Sequence, residues 1–413
     1  MLDNAPYNLL MVVNSTTSPN AADQAITALL ETAGHNVTLT GPGTAATSAT
    51  GMDAVLISSS VNSSAVSSSW ATAAIPVLTW EAFYWNRLGL IAGSPTIVTD
   101  DAYGRIVNTS HPLAAQLTGL RRLAADGSTQ LVGTPGANAM VISELDDGSY
   151  ANYFAYEAGS AMPGGTAPAR RVALHLGLDL STTLTADGKD LFEAALAWAV
   201  NDSWERRTRI QLLGDSITRG TGGYSGYREP LAGLLAAANC SYDFVGTVQA
   251  AASNQLPSLL FDWDHEGHGG YTTGQILTSL SDYLEGNTPD ITLIHLGSND
   301  LLQGVDPLIA RQNLLDIIAE LRTHNPNVIV LLALIIDSSR TEIANQITWY
   351  NAQVATAAAE ADLPASPVVL IDQFTDYDDT LFNFDGLHPN PTGEAFMAER
   401  WAQGLSLFLS CNL

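Results

Sequence analysis

Twice along this chain, short apolar runs alternate with stretches of helical period, and this grammar constrains the fold more than any other feature. From residue 7, "YNLLMVVN" reads as a buried strand and "AADQAITALLETAG" as an amphipathic helix closed by Gly34, with further strands in "DAVLISSS" and "IPVLTW". Parallel strands need a long crossover, usually a helix, and those helices cover both faces of the sheet, so the strands become apolar throughout. After about residue 90 the pattern loosens. "TIVTDDAYGRIVN" and "AMVISELDDGSYANYFAYE" read as antiparallel strands and loops, before "ARRVALHLG" and the helix "GKDLFEAALAWAV" restore the order.

Residues 201–209, "NDSWERRTR", are polar and separate a finished helix from a new apolar strand, which marks a junction. Beyond it the alternation restarts, with strands in "RIQLLGD", "YDFVGTV", "DITLIHLG", "VIVLLALI" and "PVVLID" and helices between them, the last from Thr392. Five βα units predict a flavodoxin-like, three-layer αβα sandwich on a parallel five-stranded sheet. A length of 413 residues also exceeds one ordinary core. The expected division is an α/β domain over 1–203 and a second over 204–413.

Composition narrows the partners. The net charge of −26 argues against nucleic acid and anionic membrane surfaces, which need clustered cations. No apolar run reaches the roughly 18 residues of a membrane span. Export to a periplasmic or extracellular space is an expectation for which the visible residues carry no signal peptide. Lys189 is the one lysine; the other basic residues are arginines. A salty habitat and a codon bias explain this equally. Cys240 and Cys411 can pair if the fold brings them together, but they are too few for a disulfide framework. No Cys or His has metal-ligand spacing, so neither metal nor other cofactor is expected.

Ligands of an open parallel sheet bind at the carboxyl ends of its strands. In the second half those ends carry Gly214-Asp215-Ser216, then "DHEGHGGYTTGQ", Gly297-Ser298-Asn299-Asp300 and "NFDGLHPNPTG", all at one edge. A serine nucleophile needs an imidazole to take its proton, a carboxylate to orient the ring, and donors for the oxyanion. Ser216, with His388 and Asp385 from "DGLHP", offers the first three. The backbone N–H of Ser216, a glycine N–H and the Asn299 amide offer the donors. Alone, Ser216 would sooner be a helix cap and Asn299 an Asx turn. Asp262-Trp263-Asp264-His265 is a rival Asp-x-x-His, though it follows a different strand. His268 and Trp263 are expected to line the cleft or to pack. His35, His111, His175, His295 and His324 read as structural. "GTGGYSG", residues 220–226, lacks the lysine of a phosphate loop and reads as a lip beside Ser216.

These residues, from about 205 to 413, resemble the SGNH (GDSL-type) hydrolases, with "GDSIT", the glycine of "GHGGYT", "GSND" and "DGLHP" as the four blocks in order. The resemblance implies Ser216 as nucleophile, His388 as base and Asp385 as its orienter. It also implies an oxyanion hole of Ser216, Gly270 and Asn299. "HEGHGGYTTGQI" is most similar to the second block of the carbohydrate-esterase members, usually "EGHSGW"; here Gly269 stands for the serine and Tyr271 for the tryptophan. The expected activity is hydrolysis of short-chain, acetyl esters, with an acetylated carbohydrate as substrate. A lipase or thioesterase would use the same residues, and a glycan-binding module is the non-enzymatic alternative.

Residues 1–203 resemble, in grammar only, flavodoxin-like domains of the class I glutamine-amidotransferase or trehalose-utilisation type. Their cysteine nucleophile has no counterpart before Cys240, so an accessory role is expected. "TWEAFYWNRLG" (Trp80, Phe83, Tyr84, Trp85) suggests stacking on glycans if these rings are exposed, and a core or interface patch if they are not. The sequence leaves the oligomeric state open.

Overall fold

The structure is a computed structural model describing residues 6–99, 101–125, 127–174, 184–201, 203–248 and 262–413. Its contacts divide the chain between Arg206 and Arg207, inside the polar stretch 201–209, into two compact units. His175 lies outside the described residues.

The first unit is built on one mixed nine-stranded sheet. Five parallel strands come first in space: Asn36–Thr40, Asn8–Val12, Ala54–Ile57, Val77–Thr79 and Arg171–Ala173. Ala151–Tyr156, Met140–Glu144, Tyr103–Ile106 and Gly119–Arg122 then continue the sheet antiparallel. The looser grammar after residue 90 is this change of direction. Antiparallel neighbours need only short turns, so the helices drop out of the sequence.

The aromatic cluster is core. Trp80, Tyr84 and Trp85 are buried and only Phe83 is exposed. Trp85 packs edge-on to Phe154, and Trp80 to Phe192. Of the two readings of this cluster, burial supports the core patch and rules out a stacking face of Trp80, Tyr84 and Trp85, which fill the faces of the sheet.

The second unit has the order Tyr242–Val245, Thr208–Gly214, Ile291–His295, Ile329–Ala333, Val368–Ile371, all parallel. The first strand in sequence sits second in space, so the chain reverses its winding beside Thr208–Gly214. A two-residue strand, Glu266–Gly267, adds to the carboxyl end of Thr208–Gly214 beyond the five expected. The sheet is apolar on both faces. One layer gathers Leu213, Ile294, Leu314, Ile318 and Val354, and the other Leu212, Leu231, Leu293, Met397 and Trp401.

The helix boundaries follow from local chemistry. Thr272 and Gln275 form a capping box on Thr273–Leu284. Asp306 and Asn390 cap Pro307–His324 and Pro391–Leu405, each with proline in the first turn. The last helix starts one residue before the expected Thr392. A Cys240–Cys411 disulfide, Cα–Cα 5.1 Å, ties the chain end to the turn after helix Arg228–Ala237.

Candidate active site

Strand Thr208–Gly214 ends at the sheet edge, and a single helical turn, Ser216–Arg219, follows at once. The cap of that turn is Asp215, whose carboxylate accepts the Ile217 N–H at 2.9 Å. Ser216 therefore does not serve as the cap. Its Oγ lies 2.9 Å from His388 Nε2.

The imidazole comes from the turn before the last helix. Asp385 folds back on its own segment: Oδ1 accepts the Leu387 and His388 N–H groups, and Oδ2 lies 2.9 Å from His388 Nδ1. A carboxylate only accepts, so Nδ1 carries the proton and Nε2 is left as the acceptor facing Ser216. Burial alone would raise the Asp385 carboxyl, but the His388 side chain and the two backbone donors outweigh it and hold it below the usual range. Arg340 adds a cation 3.3 Å from Oδ2. The turn itself is clamped from residues 337–340: Ser338 Oγ donates to the Gly386 carbonyl, and Asn383 donates to that of Asp337.

Two further segments reach the same edge. After strand Ile291–His295, Gly297 adopts φ +129°, and a side chain there would strike the Tyr350 ring. Only glycine can make this bend, which turns Ser298–Leu302 back over the strand end. The Asn299 amide donates to Asp215 Oδ2 at 3.1 Å, which fixes its orientation and leaves a second N–H. Gly270 also lies at positive φ, +84°, with open space where a side chain would be. Gln303 holds it by donating to its carbonyl at 2.9 Å. Among the described residues no backbone carbonyl takes the Ser216 or Gly270 N–H.

Behind these groups lies a buried acidic pair. Burial pushes the Asp215 carboxyl up to about 7; the Ile217 N–H pulls it back, while the Asp300 charge pushes it further up. Asp300 is itself raised by burial and steadied by the Thr273 hydroxyl and N–H. The pair connects three of the four sequence blocks through hydrogen bonds.

Residues 212–396 match the model of the GDSL-like Lipase/Acylhydrolase family. The chain is also 30% identical over 224 residues to an arylesterase of Vibrio mimicus, a match spanning 52% of this chain and 96% of that protein. The chain belongs to the GDSL-like lipase/acylhydrolase family. A multidomain esterase of Ruminococcus flavefaciens is 29% identical over 227 residues, 49% of this chain but only 29% of that relative. Among solved structures, a family 3 carbohydrate esterase from Talaromyces cellulolyticus is similar at 27% identity with a TM-score of 0.44, over 48% of this chain and 97% of that one. The second unit is an ester-hydrolase domain of the SGNH type.

Within this family framework the rival Asp-x-x-His has other employment. Asp262 accepts the Phe244 N–H, and the buried His265 ring accepts the Gly267 N–H, so both brace the strand end. His268 bonds Glu266 at 2.6 Å and stacks on Tyr271 and Tyr283. His295 is buried, lowered to about 4 by that burial, and accepts the Ile336 N–H. His35 accepts the Tyr7 N–H, His111 caps a 3-10 turn, and His324 pairs with Glu320.

The lip also takes shape. Phe384 is exposed, stacks at 22° on the His388 ring, and leans against Gly222 and Tyr224. Sequence reasoning singled out neither Phe384 nor Arg219, whose guanidinium covers Gly269. Position relative to "DGLHP" was the available signal for Phe384. Arg219 gave none, because its partner is fifty residues away.

Proposed function

We propose that this chain is a serine esterase that removes short acyl groups, acetyl above all, from a carbohydrate. The carrying observation is the Ser216–His388–Asp385 chain, with two bonds of 2.9 Å. His388 Nε2 takes the proton as Ser216 Oγ attacks the ester carbon. The Ser216 and Gly270 N–H groups and the Asn299 amide receive the oxyanion, His388 returns the proton to the leaving alcohol, and water completes the cycle. Asp385 stays ionised and holds the ring in the Nδ1–H tautomer.

Two observations favour a sugar as the alcohol. The second block resembles that of carbohydrate esterases. Exposed rings flank the site, with Phe384 against His388 and Tyr271 beside Gly270; such faces stack on sugar rings. An aryl alcohol would use the same rings, and one relative is named an arylesterase. The first unit is read as an accessory domain for residues 1–203, beside a catalytic domain over 204–413. The disulfide fits an oxidising, extracytoplasmic setting.

The test is hydrolysis of p-nitrophenyl acetate, butyrate and octanoate, alongside acetate release from acetylated xylan. Acetate-biased turnover with release from the polymer supports the proposal. Activity that grows with chain length replaces it with a lipase, and turnover confined to aryl esters replaces it with an arylesterase.

A further inference from the structure

The departure of the second block from "EGHSGW" has a physical counterpart in the site. A Cβ placed on Gly269 would fall 2.6 Å from Arg219 Cζ and 2.7 Å from each Nη. Three near-equal distances mean that the guanidinium lies with its face over Gly269, in the space a serine side chain would take. Standard bond lengths then put the fork within roughly 6 Å of the Gly270 nitrogen, one of the proposed oxyanion donors.

Packing by the face leaves the N–H edge unspent. Nε–H makes only a 3.5 Å contact with the Gly220 carbonyl, and among the described residues no carboxylate or carbonyl takes either Nη. Among the described residues this guanidinium therefore has no acid partner, in a chain with 42 acidic and 16 basic side chains. The residue is half-buried.

We propose that Arg219 is a specificity residue for a carboxylate on the substrate, as in an acetylated sugar acid of the uronate class. A guanidinium edge presents parallel N–H groups that match a carboxylate, whereas a neutral hydroxyl would leave its charge uncompensated. The overall charge of −26 repels an anion from afar, but salt screens that field beyond about 10 Å at 0.1 M, and it does not screen a direct contact comparably. The inference rests on the esterase reading and names its substrate class.

The experiment compares kcat/KM for an O-acetylated methyl glucuronide and the matching O-acetylated methyl glucoside, in wild type, Arg219→Gln and Gly269→Ser. The serine would enter the space under the fork and dislodge it without removing the charge. Wild type is expected to prefer the glucuronide, and both variants to lose about tenfold or more of that ratio. No preference in wild type, or a ratio unmoved by both variants, overturns the proposal. Calorimetric Kd values for methyl glucuronide and methyl glucoside give a readout independent of turnover. Equal affinities defeat the Arg219 inference alone, whereas failure to turn over p-nitrophenyl acetate defeats the esterase reading.

Discussion

At the scale of single residues, Asp215 explains most about how this edge is arranged. One carboxyl caps the turn bearing Ser216 and holds the Asn299 amide, so the proposed nucleophile and a proposed oxyanion donor share an anchor. Asn299→Ala is expected to lower kcat by about 10²–10³ with little change in KM, the signature of the proposed oxyanion donor. Asp215→Ala should lower kcat by about ten- to a hundredfold by loosening both groups, and a fall in Tm should accompany it. Steady-state kinetics on p-nitrophenyl acetate separates the two. The sequence singled out Ser216, His388, Asp385, Gly270 and Asn299 as candidates because they lie in segments that follow strand ends at one edge of the sheet. It did not show that Asp215 would be the cap, since Asp and Ser are equally good caps. Nor did it show Arg219 on Gly269, a contact set by tertiary packing.

At the scale of elements, legibility followed periodicity. The five long strands of the second unit were readable because burial on both faces leaves continuous apolar runs, as in "ITLIH" and "IVLLA". Glu266–Gly267 was not readable, because two residues have no period. In the first unit, the aromatics near Trp80 gave no hint of their depth, since a ring in a loop can face either way. The disulfide belongs to this scale too. It closes a sequence separation of 171 residues and fastens the chain end beside helix Arg228–Ala237. Cys240→Ser with Cys411→Ser is expected to destabilise the second unit by about 2–5 kcal/mol. Denaturant unfolding with and without a reductant would detect it; equal midpoints would show that the bond adds nothing.

For the whole molecule, acidity makes an unusual prediction about pH. Burial raises Asp215, Glu81 and Glu394 to about 7 each, from ordinary values of 3.8 or 4.5. Between those limits the folded chain holds protons that the unfolded chain has released, so stability falls as pH rises from about 4 to about 7. The excess of negative charge adds to the trend. Asp385 and His295 work in the opposite sense. The lowered carboxyl stabilises the fold until stronger acid. The buried imidazole, lowered to about 4, costs stability only as pH falls below about 6.5, a loss smaller than the gain from the three carboxyls. Tm at pH 5.5 is therefore expected to exceed Tm at pH 8 by several degrees. A Tm that climbs steadily from 5.5 to 8 would show that these carboxyls are ionised without penalty. Activity need not follow stability, because the proposed mechanism uses His388 as a base.

The most direct test of the Ser216–His388–Asp385 assignment is covalent labelling with a fluorophosphonate, read by intact mass and peptide mapping. Attack on phosphorus requires the activated serine but no particular sugar or acyl group, so the outcome does not depend on the substrate proposed. The account predicts a single adduct on Ser216 in wild type, and labelling slowed at least a hundredfold in His388→Ala. No adduct, an adduct on another serine, or unchanged labelling in His388→Ala would contradict it.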